Sequence, residues 1–438
     1  MKNKILFLLL RLNLFYPWLL GFNYYLYRKN RLIKHNLNFH NSDELLNIVN
    51  NAISIIPYYK NKYKNKLSNI VEFESTVSFI DKDLVMNNWD EFLLPNYKKN
   101  KTIEGTTGGT SGKPLRLVLP RNRFIFELAT MYKMWEVLDW KGEARAILRN
   151  AKFNTIKTYK VDPVKKEVVF DGFKSTDEHY QFVYDTFIKL NLKFLHAYPS
   201  SIYQFALFLD RKKLDTTFIK GVFCGSEAFL PEQENLIVNK LGLNVFSWYG
   251  HSEKLVLGGR CENNEAIHIE PSYGYFELID EKGNVINKKG EIGEIVGTTL
   301  HNKYMPLIRY KTGDFAEFVG DYCEDCKRSL PLIKNIQGRW EINNIYLNDN
   351  SYVSVTALNL HSDEYNHIEG MQYVQYEKGK LEIKIIKSDS FSVLIEEKFI
   401  THFKAAFNGK CSFKLNYVDK IEKETNGKFL TLKQYIKE

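Results

Sequence analysis

Thr107-Gly108-Gly109-Thr110-Ser111-Gly112-Lys113-Pro114 gathers three glycines, three hydroxyls and one lysine into eight residues. That composition suits a loop that wraps phosphate. Glycines let backbone N–H groups approach an anion closely, hydroxyls donate hydrogen bonds, and the lysine supplies charge. The run is not the G-x-x-x-x-G-K-[ST] phosphate loop, because its first glycine comes one residue late and Pro114 stands where that motif carries a Mg²⁺-binding hydroxyl. Pro114 also argues against a helix running directly on from Lys113. Taken alone, the run also reads as a solvated Gly/Thr turn.

Two further polar turns follow short apolar runs: Gly225-Ser226-Glu227, and Tyr249-Gly250-His251-Ser252-Glu253. With the glycine-rich loop they offer an aromatic ring to stack on a base, backbone groups to read its edge, and a carboxylate to hold Mg²⁺ against phosphates. A separate cluster has metal-ligand spacing: Cys261, His268 and the pair Cys323-Glu324-Asp325-Cys326. The C-x-x-C pair can occupy one edge of a tetrahedron and Cys261 with His268 the other, a closed Cys₃His set suited to structural zinc. A redox-active or incidental C-x-x-C is the competing reading. Cys224 and Cys411 are expected to be small buried apolar residues.

These residues need elements to hold them. Asp43 to Ile56 carries a helical apolar stripe that ends at Pro57, with Tyr58-Tyr59-Lys60 expected as loop. Phe124 to Leu138 reads as a long helix and Ala144 to Leu148 as a strand. Ser200 is expected to cap a helix bearing Ile202, Phe205, Ala206 and Leu209 on one face. Phe218 to Phe223 is an apolar run, Pro231 to Gly242 a helix, and Leu243 to Trp248 a strand running into Tyr249. Strands and helices thus alternate, which predicts an α/β fold with a mostly parallel sheet and ligands at the carboxyl ends of its strands. Beyond Arg339 the pattern becomes a small α+β region: alternating strands at Met371 to Tyr376 and Leu381 to Ile386, a helix from Phe391 to Phe407, and a strand from Ser412 to Val418.

A chain of 438 residues with 44% apolar composition is too long for one ordinary core and rich enough to bury more than one. The net charge of +9 is spread among acidic residues, without a long cationic block, zinc finger or RNA-binding aromatic signature, so nucleic acid is not an expected partner. Five cysteines without a secretory signature argue for a reducing, cytoplasmic setting. Residues 1–31 are apolar, aromatic and flanked by cations, but Arg11, Asn13 and Pro17 interrupt them. They suit either a peripheral anchor at the inner face of a membrane or an ordinary helical arm packed on the body, and the second is favoured.

The glycine-rich loop resembles the Ser/Thr-rich ATP loop of the adenylate-forming superfamily of acyl-CoA synthetases, and Tyr249-Gly250-His251-Ser252-Glu253 resembles its Y-G-x-[ST]-E motif. Arg309-Tyr310-Lys311-Thr312-Gly313-Asp314 is similar to its R-Y-x-T-G-D, and Gly338-Arg339 to its hinge-proximal pair. The order and spacing resemble the phenylacetate-CoA ligase branch and, within it, CapK-like proteins of polysaccharide gene clusters. The match runs from roughly Leu45 to the C-terminus and implies a large multi-layer adenylate-forming domain over 41–338 and a small mobile α+β domain over 339–438, after an apolar, basic helical arm over 1–40.

It also implies roles. Thr107, Gly108, Gly109, Thr110, Ser111, Gly112 and Lys113 would embrace the β- and γ-phosphates of ATP. Tyr249 would stack on adenine beside Gly225, Ser226, Glu227, Gly250 and Ser252. Glu253 would bind Mg²⁺, and Asp314 the ribose hydroxyls with help from Arg339. Lys428, in Glu424-Thr425-Asn426-Gly427-Lys428-Phe429, would reach the carboxylate and α-phosphate, and His196 and Tyr198 would wall the acyl pocket. Members of the branch carry zinc between these motifs. The implied reaction joins a small carboxylate to ATP, giving an acyl-adenylate and pyrophosphate, then passes the acyl group to CoA, an amino sugar or an amino acid in polysaccharide biosynthesis. One departure stands out: where the family places a hinge aspartate and then a glycine-bearing loop, this chain has Trp340-Glu341-Ile342-Asn343-Asn344-Ile345 and then Asp349-Asn350. A nucleotide-binding scaffold that has lost the chemistry is the alternative function.

Overall fold

The computed structural model describes residues 42–107, 115–149, 151–155, 157–163, 165–226, 229, 231–337, 344–355, 358, 364, 367–421 and 432–436. The expected N-terminal arm, the centre of the glycine-rich loop (108–114), Glu227, Arg339 and Lys428 lie outside the described residues.

Helix α1 (Ser42–Ile55) turns Leu45, Val49, Ala52 and Ile53 inward, as its apolar spacing requires. Pro57 does not lead into a loop. It opens α2 (Pro57–Lys62), because a proline costs nothing in a first turn whose N–H has no helical acceptor. The expected loop at Tyr58-Tyr59-Lys60 is therefore helical, with the buried Tyr59 hydroxyl donating to the Pro306 carbonyl at 2.9 Å. Asn69 and Asp81 cap α3 (Ile70–Thr76) and α4 (Lys82–Asn87). Strands β1 (Thr102–Thr106) and β2 (Arg116–Pro120) then pair antiparallel, Thr106 opposite Arg116.

The central region runs α5 (Arg123–Trp135), β3 (Arg145–Leu148), β4 (Lys160–Asp162), β5 (Glu167–Val169), α6 (Asp177–Leu190), β6 (Phe194–Ala197), α7 (Pro199–Arg211), β7 (Gly221–Gly225), α8 (Pro231–Glu234) and β8 (Val245–Gly250). It continues through β9 (Leu257–Arg260), β10 (Ile267–Ile269), β11 (Gly274–Ile279), β12 (Ile292–Thr299), β13 (Tyr310–Gly320) and β14 (Leu332–Gln337). Residues Asn235–Lys240 extend α8 as a π-helix. All of β3 to β14 form one 12-stranded sheet in the order β11-β12-β13-β14-β10-β9-β8-β7-β6-β3-β5-β4.

The expected parallel sheet is present at β5-β3-β6-β7-β8, where α6, α7 and α8 lead from β5 to β6, β6 to β7 and β7 to β8. Past β8 the sheet becomes antiparallel, because only residues 251–256 link β8 to β9 and so short a connection permits no crossover. Ser200 is not the cap of α7: Tyr198 is the N-cap residue, Pro199 takes the first turn, and Ser200 is buried within the helix. The ring of Pro199 fixes φ at the helical value and so moves the start one residue earlier.

Hairpin β15 (Asn344–Tyr346) and β16 (Tyr352–Ser354) precedes a second sheet. Strands β17 (Ile368–Glu377), β18 (Lys380–Lys387), β19 (Ser412–Tyr417) and β20 (Leu432–Gln434) stand in the order β19-β18-β17-β20. Their core joins Ile383 and Ile385 to Phe399 and Phe403 of α9 (Val393–Phe407). In the hairpin turn, where a glycine was expected, Asn350 takes a φ of +62°, a left-handed conformation asparagine tolerates better than most residues. Among the described residues no helix is long and apolar enough to cross a membrane.

Candidate active site

The glycine-rich loop closes the β1–β2 hairpin, so no helix follows Lys113, as Pro114 requires. Thr107 forms its base: its backbone N–H donates to the Leu115 carbonyl at 3.0 Å, and its hydroxyl accepts from the Leu115 N–H at 2.9 Å. Thr107 was expected on phosphate. The buried hydroxyl is only an acceptor in that contact and keeps its own donor capacity, at the base of the run that carries Gly108, Gly109, Thr110, Ser111, Gly112 and Lys113.

The two polar turns lie where expected, at the carboxyl ends of adjacent parallel strands β7 and β8. Gly225 is obligatory, since a Cβ there would meet the Trp248 indole at 2.3 Å, and Ser226 follows with a φ of +71°. At the end of β8, Tyr249 and Glu253 are buried and Gly250 and Ser252 half-buried. Glu253 Oε1 accepts from the Tyr310 hydroxyl at 3.2 Å and Oε2 faces His251 Nδ1 at 3.2 Å. The Val256 N–H donates to His251 Nε2 at 3.2 Å, so Nδ1 carries the ring proton and donates to Glu253. Neutral donors thus orient this carboxylate.

Asp314 comes from the antiparallel half of the sheet. Between the pairs Glu294↔Phe315 and Val296↔Lys311 the register shifts, and β13 bulges over Thr312-Gly313-Asp314. Gly313 meets the bulge with a φ of +75°, its N–H donating to Glu294 Oε1 at 3.1 Å. The Thr312 hydroxyl donates to the Ile295 carbonyl at 2.7 Å and accepts from the Asp314 N–H at 3.1 Å. So held, Asp314 Oδ2 accepts a 2.8 Å hydrogen bond from the Tyr249 hydroxyl. Burial first, then the charge of Asp314, pushes the Tyr249 phenol well above its ordinary pKa, so it stays a donor. Arg309, in the same motif, does not join these residues. It is buried in a two-pronged pair with Glu277, at 2.7 and 3.2 Å, and donates to the carbonyls of Glu74 and Val77.

His196 and Tyr198 stand at and just beyond the end of β6, beside residues the sequence did not single out. His196 lies between Arg145 and Arg149, with Trp135 and Trp248 each 5.4 Å from its ring centre. Burial first, then Arg149 and Arg145, holds the imidazole pKa well below its usual value, so the ring is neutral. Arg149 lies 4.5 Å over the Tyr198 ring. Both arginines sit in or directly after a predicted strand, yet a strand signal says nothing of which neighbour meets them.

The metal-spaced residues converge. Ligand atoms of Cys261, His268, Cys323 and Cys326 lie within 4.8 Å of one another. Cys261 Sγ and Cys323 Sγ are 3.8 Å apart, and Cys326 Sγ and His268 Nε2 3.4 Å. Tetrahedral zinc with sulfur at about 2.3 Å separates two sulfurs by about 3.8 Å, so the set fits that ion and no disulfide joins the pair. Arg328 Nε donates to Cys326 Sγ at 3.1 Å, and Asn264 Nδ2 to Cys323 Sγ at 3.5 Å, outer contacts that orient the two sulfurs. Cys224 and Cys411 are buried elsewhere, as expected of small apolar side chains.

Residues 345–435 match the family described as the CapK C-terminal domain. Protein CapK of Staphylococcus aureus is 23% identical over 368 residues, which cover 80% of this chain and 77% of that protein. A phenylacetate-coenzyme A ligase of Pseudomonas putida is 29% identical over 147 residues, 32% of each chain. Among solved structures, 2-hydroxyisobutyryl-CoA ligase in complex with 2-HIB-AMP and CoA aligns over 93% of this chain and 90% of its own, with a TM-score of 0.58 and 14% identity. The same ligase in its postadenylation state aligns with a TM-score of 0.55 at 15% identity, covering 90% of this chain and 88% of its own. The chain is therefore CapK-like over most of its length and has the fold of adenylate-forming CoA ligases.

Proposed function

We propose that this CapK-like chain activates a small carboxylate with MgATP, releasing pyrophosphate, and passes the acyl group to CoA or to an amine in capsular or exopolysaccharide biosynthesis. The observation that carries this reading is the convergence of Glu253, Tyr249 and Asp314, from opposite halves of one sheet, at the carboxyl end of β8. Attack of a carboxylate oxygen on the α-phosphorus forms the mixed anhydride and expels pyrophosphate, so a phosphate clamp belongs on the departing group.

In this reading Thr107 to Lys113 grip the β- and γ-phosphates. Asp314, steadied by Tyr249, accepts the ribose hydroxyls with Arg339 assisting, and Gly225, Ser226, Glu227, Gly250 and Ser252 border the base. Bound Mg²⁺ would neutralise phosphate charge, and Glu253 is the carboxylate oriented to hold it. Lys428, carried by the small domain over 339–438, offsets the charge of two approaching anions. Cys261, His268, Cys323 and Cys326 hold structural zinc in the large domain over 41–338.

Carboxylate-dependent exchange of labelled pyrophosphate into ATP tests the reading. Wild-type protein should exchange with at least one acid of a broad panel, and Lys428→Ala should lose at least about 100-fold in rate. No exchange with any acid, or a Lys428→Ala variant as active as wild type, would overturn it.

A further inference from the structure

The wall at the ends of β3 and β6 is ill suited to an apolar acid. Arg149 directly follows β3 and His196 lies on the neighbouring strand, opposite Ile147. Arg149 Nη1 is 2.8 Å from His196 Nε2. A guanidinium only donates, so Nε2 accepts and the neutral ring carries its proton on Nδ1. That proton faces Arg145 Nη1 at 3.3 Å, donor against donor. Arg145 Nε is buried and has no hydrogen-bond partner among the described residues, and neither have Nε and Nη1 of the buried Arg123.

Charge is unbalanced in the same sense. Arg145 is paired with Glu167 at 3.0 Å and Lys254 with Glu127 at 2.7 Å. Among the described residues Arg149 is in no ion pair. Burial alone would raise the Glu127 pKa, but Lys254, Arg123 and Arg149 together pull it below the usual carboxylate range. These groups therefore share one electrostatic environment in which cations and N–H donors exceed acceptors. Tyr198, Trp135 and Trp248 border it with rings, which keeps the local dielectric low and strengthens the field.

We infer that the acyl substrate is a dicarboxylic acid, one carboxylate entering the reaction and the second received by the Arg149 guanidinium beside His196. This rests on the acyl-activation reading above. A distal carboxylate supplies the acceptor that this wall lacks, in a charge-assisted and potentially two-pronged contact. A monocarboxylate of the same length would leave the donors desolvated without an acceptor, the situation in which polar sites discriminate most strongly.

The test uses the full-length protein with dicarboxylates from malonate to adipate and monocarboxylates of matching length. Pyrophosphate exchange gives KM and kcat, and calorimetry without ATP gives binding of each acid. Wild type should favour a dicarboxylate by at least about 100-fold in kcat/KM. Arg149→Gln should raise the KM and Kd of that acid about tenfold or more, with the KM for ATP within about twofold, and Arg149→Lys should recover part of the loss. Exchange with no preference for dicarboxylates, unchanged by Arg149→Gln, would overturn the inference and leave the acyl-activation reading standing. If no acid supports exchange, that reading fails, and calorimetry decides the inference alone. Dicarboxylate binding weakened by Arg149→Gln then supports Arg149 as the receiver of the distal carboxylate; no binding to wild type overturns it.

Discussion

Tyr249 and Asp314, 65 positions apart in sequence, meet in a buried 2.8 Å hydrogen bond from the phenol to a carboxylate oxygen. Each belongs to a motif expected to serve a different part of the nucleotide, one the base and the other the ribose. The bond makes them a unit, because the phenol sets where the carboxylate points. Tyr249→Phe keeps the ring and removes the donor. A hydrogen bond to a charged group contributes about 1.5–3 kcal/mol, so the KM for ATP in pyrophosphate exchange should rise about tenfold or more. An unchanged KM would show that Asp314 needs no such support.

Glu253 is oriented by His251 and Tyr310, neither of which brings a formal charge when the ring is neutral. Glu253→Gln retains the shape and loses the anion. Exchange should fall at least about 100-fold and recover in part at high Mg²⁺, while the melting temperature moves by only a few degrees. Equal loss at every Mg²⁺ concentration would remove the metal-binding role.

Protein purified without added zinc should carry close to one zinc per chain by elemental analysis. Cys323→Ser should lower that stoichiometry and the melting temperature together, because a closed four-ligand site adds its binding free energy to folding. A metal-free protein with a wild-type melting curve would leave the cluster a set of packed thiols.

The buried Arg309–Glu277 pair offers a stability test. Arg309→Met strands Glu277 and should cost about 3–5 kcal/mol in denaturant unfolding, whereas Arg309→Met with Glu277→Leu should recover most of it. The sign of the pH effect follows from burial, which already raises the Glu277 pKa against the pull of Arg309. With Arg309 gone the pKa rises further. A group whose folded pKa is raised gives stability that is present below its unfolded pKa and lost as pH climbs through the folded one. The single variant should thus be more stable at pH 5 than at pH 8, and the opposite trend would refute the assignment.

Much of the site was legible because it is local. Pro114 marked a run without a following helix; apolar runs ending in Gly225-Ser226 and Tyr249-Gly250 marked strand ends; Cys and His spacing marked side chains that cluster. The misreadings were local too. Pro57 and Pro199 each open a helix, and Ser200 yielded the cap position to Tyr198. The contact of the Thr107 hydroxyl with the Leu115 N–H was not legible in the sequence, because it depends on how β1 and β2 pair.

Sequence alone determined the kinds of group present and the elements that carry them, since helix stripes, strand runs and turn residues act over a few positions. Only the tertiary structure decided the partnerships: Tyr249 with Asp314, Arg309 with Glu277, Arg149 with His196. Strand order and register set these, and one bulge in β13 is enough to aim Asp314. A strand's own pattern names its two faces but not the neighbour it will meet, because that choice is made by the burial of the whole sheet.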